Sequence, residues 1–151
     1  MLTRRAWLAT AAGAAAALLS GRPAYALASR QEILVYKSPT CGCCSNWVDH
    51  MAEAGFQPTV RDVADVSPLK RDVGVPAGLD SCHTALVGGY FVEGHVPADL
   101  VQKLLKEKPK AAGLAVPGMP MGSPGMEGPT RQPYDVLLVM RDGTTRVYAS
   151  R

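Results

Sequence analysis

Three cysteines within four residues, in Thr40-Cys41-Gly42-Cys43-Cys44-Ser45, are the most chemically specific feature of this 151-residue chain. Cys41 and Cys44 have C-x-x-C spacing, with Cys43 added between them. Where a strand runs into a helix, such thiols meet the free amides and positive dipole end of the helix, which stabilise thiolates. Thiolates there attack disulfides or bind soft metals. A third thiol suits simple exchange poorly, because neighbours invite scrambling. It suits a polythiolate site whose sulfurs bridge more than one ion. Hairpin arithmetic brings in Cys82 and His95. Gly88-Gly89 lies between the apolar runs 84–87 and 90–93, a strong two-residue turn signal. Val87 then faces Tyr90, and the same register sets Cys82 opposite His95, with Cβ atoms about 4.5–5.5 Å apart. If the first strand ends at the same sheet edge, Cys41, Cys43, Cys44, Cys82 and His95 converge.

The remaining candidates carry weaker signals. His83 should point away from Cys82, because adjacent strand residues alternate faces, and it reads as structural. His50 falls late in the first helix, beyond the cysteine end, and reads as exposed or satisfied in the core. Glu93 is either an orienting partner for His95 or an exposed strand residue. Met119, Met121 and Met126 sit in a Gly/Pro-rich loop with little apolar company, whereas Met51 and Met140 have structured neighbours and read as core. Thioether is a soft donor that favours Cu(I). The plainer account makes the loop methionines gap-fillers. Zinc competes for the cysteines but has little use for thioethers, so copper is the better match. Four cysteines also allow three disulfide connectivities, although bridges within the cluster close only tiny loops and stabilise little.

The elements that must position these residues follow from periodicity and punctuation. Residues 33–36 form a continuous apolar run, as in a buried strand. Cys44, Trp47, Val48, Met51 and Gly55 recur at helical spacing, so a helix runs from near Cys41 to Gly55. A second strand is expected at 59–63. Ser67 at the N-cap and Pro68 at N1 open a short helix that ends around 74–76. After the hairpin, Pro97-Ala98-Asp99 opens a helix with Leu100, Val101, Leu104 and Leu105 on one face, ended by Pro109. Two parallel strands joined by a crossover and followed by an antiparallel pair make a thioredoxin-like order, an α/β fold. Glycines and prolines from Gly113 to Pro129 exclude regular structure across 113–129 and leave a loop carrying the three methionines. Loops this long in compact domains are usually functional or disordered. Runs at 134–140 and 144–149 around Asp142-Gly143 make a second hairpin. The expected organisation is a thioredoxin-like domain, 27–110, and a C-terminal extension, 111–151, packed on the same domain.

Residues 1–26 read as an export signal: a basic start, an alanine-rich apolar stretch at 6–19, and Ala24-Tyr25-Ala26 as an A-x-A cleavage site. Thr3-Arg4-Arg5-Ala6-Trp7-Leu8 is similar to a twin-arginine signal. The mature chain would start at Leu27 in the periplasm, where disulfides persist. Of the 16 basic residues, Arg4, Arg5 and Arg22 precede residue 27, leaving 13 against 13 acids. That balance argues against nucleic acid or an anionic membrane surface as partner.

Four separated blocks carry a resemblance: Pro39-Thr40-Cys41-Gly42-Cys43-Cys44, Ser81-Cys82-His83-Thr84-Ala85, Glu93-Gly94-His95-Val96-Pro97, and Gly118-Met119-Pro120 through Gly125-Met126-Glu127. In order, over about residues 31–150, they resemble the CopG-type periplasmic copper-resistance proteins with a CxCC motif, without departure at the cysteines or His95. The resemblance implies a thioredoxin-like domain with a metal-binding C-terminal extension. It implies several copper ions bridged by cysteine sulfur and a role in interconverting Cu(I) and Cu(II). Cys41, Cys43, Cys44 and Cys82 match its thiolate positions, His95 its imidazole, and Met119, Met121 and Met126 its extension. The expected partners are copper ions and a copper efflux system or periplasmic copper carrier, with the protein a monomer. Two rivals stand beside this copper oxidoreductase reading: a copper chaperone or sink without catalysis, and a thiol–disulfide oxidoreductase using Cys41 and Cys44.

Overall fold

A computed structural model of the chain describes residues 30–151, so the expected export signal, 1–26, lies outside the described residues. The chain runs β1 (Glu32–Lys37), α1 (Gly42–Glu53), β2 (Gln57–Asp62), α2 (Ser67–Val73), β3 (His83–Val87), β4 (Tyr90–Glu93), α3 (Ala98–Glu107), β5 (Ala111–Ala115), β6 (Asp135–Met140) and β7 (Thr145–Ser150). All seven strands form one sheet in the order β2-β1-β3-β4-β5-β6-β7. β1 and β2 are parallel across α1, and β4 and β5 are parallel across α3; the other neighbours are antiparallel. Among the described residues, no helix is long and apolar enough to cross a membrane.

Alternation along the strands sorts side chains onto two faces. Val35, Ala85, Val92, Leu114 and Leu138 join Trp47 and Met51 of α1 and Val101 and Leu104 of α3 in the larger core. Phe91, Ala115 and Val139 face the other way, toward Val73, Val75 and Leu79 around α2. The hairpin register is the one the glycine pair predicts, with Val87 paired to Tyr90 and Thr84 to Glu93.

Two expectations need correction. Residues 113–115 are not loop: they complete β5, whose alanines and glycine show no strand signal. Gly113 lies in β5 because a Cβ there would sit 2.1 Å from the Phe91 carbonyl oxygen, so only glycine lets β4 and its aromatic ring approach. The start of α2 shifts by one. Val66 is the N-cap, without a side-chain cap bond, and the Ser67 amide donates to Asp65 Oδ1 at 2.9 Å. The rest of the methionine loop has no strand or helix, as expected, and ties itself together through its own backbone. Gly122 N–H donates to the Met126 carbonyl and Met126 N–H to the Ser123 carbonyl, each at 2.8 Å. Gln132 N–H reaches the Met121 carbonyl at 2.9 Å.

Candidate metal centre

The cysteine cluster lies where β1 runs into α1. Cys41 occupies the N-cap, without a side-chain cap bond, and Cys43 and Cys44 fall in the first helical turn, which contains no acidic residue. Cys41 and Cys44 are joined as a disulfide, while Cys43 and Cys82 are free. Cys43 Sγ is 3.4 Å from Cys41 Sγ. The sulfurs of Cys41, Cys43, Cys44 and Cys82 all lie within 4.8 Å of one another. With Cys43 and Cys82 unpaired, this single bridge completes none of the three two-disulfide connectivities that four cysteines allow; reduction of that bond leaves four sulfur donors in one place.

Cys82 enters from the hairpin. The ladder's last bond runs from Gly94 N–H to the His83 carbonyl at 3.0 Å, and one residue further Cys82 Sγ faces His95 Nε2 at 3.0 Å. His95 is fully buried, and its Nδ1 lies 2.8 Å from the Pro124 carbonyl. A carbonyl oxygen only accepts, so the network assigns the proton to Nδ1 and leaves the Nε2 lone pair facing Cys82 Sγ. Histidines that bind metals characteristically donate their other N–H to a carbonyl or carboxylate in this way.

The predicted alternation fails at His83. Its ring is fully buried against Trp47, with centroids 4.4 Å apart, and its Nδ1 is 3.4 Å from Cys82 Sγ. The cause is that β3 starts at His83, so Cys82 lies outside the pleat and its side chain swings across the strand end. Cys82, His83 and His95 therefore form a second donor group within 4.8 Å. Among the described residues, His83 Nε2 is the one buried side-chain nitrogen or oxygen without a hydrogen-bond partner. Glu93 is neither exposed nor beside His95. It is fully buried and points to the opposite face, toward Lys70. His50 is satisfied at the far end of α1, where its Nε2 accepts the Ala98 N–H at 3.1 Å.

The loop crosses this centre at 124–125. A Cβ on Gly125, whose φ is +83°, would lie 2.6 Å from the Cys43 carbonyl oxygen and 2.8 Å from the Trp47 amide nitrogen. The loop backbone thus rests on the first turns of α1. Met126 follows that contact and is half-buried, as is Met121, whose methyl group packs toward Gly128. Met119 is 51% exposed.

Burial sets the charge states of the metal-free centre. Desolvation, with Cys43 close by, pushes the Cys82 thiol up to about 12. Desolvation also holds His83 well below the usual imidazole range, reinforced by His95 and Lys70. His95 is lowered by burial and partly restored by the Pro124 carbonyl and Glu127. Both imidazoles are neutral near pH 7, the form that donates a lone pair.

Thiolate sulfur with neutral imidazole is a donor set for soft and borderline ions, copper and zinc among them. The orphaned nitrogen and mutually close thiols fit an ion better than a core packed for stability alone, where buried polar groups find partners.

Comparison with known proteins adds the following. Residues 79–126 match a family described as "Protein of unknown function, DUF411". Two solved structures, of copper resistance protein CopG in its Forms 1 and 2, are each 44% identical in sequence with a TM-score of 0.77. Each alignment covers 81% of this chain and 98% of the other. No curated protein matches.

Proposed function

The chain belongs to the CopG-type copper-resistance family, and from that premise we propose that it is a periplasmic copper-binding protein of redox type. The observation that carries this is the geometry at His95: Nδ1 lies 2.8 Å from the Pro124 carbonyl, which can only accept, and Nε2 lies 3.0 Å from Cys82 Sγ, itself one of a set of four close sulfurs. Cys41, Cys43, Cys44 and Cys82, once reduced, hold and bridge copper as thiolates. His95 adds a harder donor that tolerates Cu(II), and Met119, Met121 and Met126 supply thioethers that favour Cu(I). Mixed donors suit an ion that changes oxidation state, because neither state is held too tightly to be left. The β2-β1-β3-β4 part of the sheet, with α1 opening at the cysteines, is the part we assign to a thioredoxin-like fold. Export through residues 1–26 would deliver the protein to where it meets copper.

The test is metal analysis of reduced, copper-loaded protein beside Cys43→Ser, followed by titration with a one-electron oxidant such as ferricyanide. Each Cu(I) oxidised passes one electron to ferricyanide, and the expected result is retention of copper through the cycle. Release of copper on oxidation would indicate a carrier or store instead. Near-wild-type copper in Cys43→Ser would count against a bridged cluster.

The Cys41–Cys44 disulfide favours one second reading, thiol–disulfide exchange on protein substrates. It predicts disulfide reductase activity that survives both copper chelation and Cys82→Ser.

A further inference from the structure

On the α2 face of the sheet, directly behind the candidate centre, lies a buried charged cluster that metal binding does not use. Glu93 and Thr84 are fully buried, and Lys70 is 7% exposed. One Glu93 oxygen, Oε1, accepts from the Lys70 ammonium and from the Ser81 amide, the latter at 2.6 Å. The other, Oε2, accepts the Thr84 hydroxyl at 2.6 Å, and Lys70 Nζ donates to Thr84 Oγ1 at 3.0 Å. Burying two charges is costly, and a buried ion pair is weak evidence of stabilisation for its own sake.

Its placement suggests another purpose. The β3–β4 ladder ends at Thr84 and Glu93, with one further bond from Gly94 N–H to the His83 carbonyl. Cys82 and His95 sit beyond that bond, where no ladder fixes their separation. Glu93 spans the gap: its side chain holds the amide of Ser81, just before Cys82, while its backbone leads through Gly94 to His95. Gly94 is confined as well, since a Cβ there would meet Ser81 Oγ at 2.5 Å and the Val116 carbonyl at 2.6 Å. Lys70 and Thr84 occupy the remaining carboxylate positions and prevent it from turning away.

We infer that Glu93 is a positioning residue for the metal centre, its bond to the Ser81 amide setting Cys82 against His95. This inference rests on Cys82 and His95 serving as metal donors. Outer-shell partners of this kind are worth roughly 10–100-fold in metal affinity.

Two double variants separate positioning from ion pairing. K70M/E93Q and K70M/E93M both remove the charge pair, but only glutamine keeps an acceptor for the Ser81 amide. Cu(I) affinity is measured on reduced protein by competition with a chromophoric chelator, and thermal unfolding on the metal-free forms. The expected result is K70M/E93Q within about 2-fold of wild type and K70M/E93M weaker by about 10-fold or more, at similar Tm. Equal affinities in the two doubles would overturn the inference. Should K70M/E93M not fold, amide hydrogen exchange on the wild-type chain decides: a slowly exchanging Ser81 amide supports the bond, and exchange at the rate of an exposed loop amide overturns it. Cys82→Ser and His95→Gln report on the underlying reading. If both bind Cu(I) like wild type, the metal assignment of these donors fails, and the inference with it.

Discussion

At the scale of single residues, the candidate centre depends on proton placement. The Pro124 carbonyl fixes the proton on His95 Nδ1, while burial keeps His83 and His95 neutral and Cys82 protonated in the metal-free protein. These shifts set a pH window for stability. For the two histidines the folded pKa lies below the ordinary imidazole value of 6.5, so unfolding takes up protons once pH falls below about 6.5 and stability drops there. For Cys82 the folded pKa of about 12 lies above the ordinary thiol value of 9.0, so unfolding releases a proton between those values and stability drops as pH rises through them. Metal-free protein with the Cys41–Cys44 disulfide intact should have its highest urea midpoint between about pH 6.5 and 9. A midpoint that keeps rising down to pH 5 would contradict the neutral histidines.

At the scale of elements, two glycines carry contacts that a methyl group would break. Gly125 lays the methionine loop on α1, and Gly125→Ala puts a Cβ 2.6 Å from the Cys43 carbonyl at a φ of +83°. Overpacking of this kind costs about 1–3 kcal/mol, and the loop should yield before the helix does. The expected outcome is faster alkylation of the Cys43 thiol with the sheet intact; unchanged alkylation would mean that the loop does not cover the cysteine turn. Gly113→Ala should act on the sheet itself, because Phe91 closes over that position from β4. A loss of at least about 3 kcal/mol, at the upper end of that range, should appear in the denaturation midpoint, with cysteine reactivity unchanged. What the sequence could reveal divides along the same line. The Gly88-Gly89 turn fixes a register by local chemistry, so the facing of Cys82 and His95 was readable from spacing alone. β5 was not, because an Ala-Ala-Gly-Leu-Ala segment becomes a strand only by pairing with β4 and β6. Glu93 was hidden for a similar reason. Its partner Lys70 is 23 residues away on α2, and only the packed structure shows the two meeting behind Cys82. His83 misled because alternation holds inside a strand and lapses at its first residue.

At the scale of the whole molecule, the C-terminal segment cannot be treated as an accessory to residues 27–110. β5 pairs with β4 on one side and β6 on the other, so the sheet continues without a seam from β2 to β7. The loop between β5 and β6 is therefore anchored in the sheet at both ends, which lets it hold the Pro124 carbonyl against His95. A chain ending at residue 132 loses β6 and β7, and with them Val136, Leu138 and Val139, all completely buried. At about 1.5–3 kcal/mol for each buried side chain, those three alone rival the about 5–15 kcal/mol that a whole domain typically retains. The truncation also leaves β5 as an open edge with unpaired backbone groups. That truncated chain, without residues 1–26, should show no cooperative thermal transition and should bind a hydrophobic dye. A cooperative transition, with thiol reactivity like that of the full-length protein, would mean that β1 through β5 stand alone and that the second hairpin only decorates them.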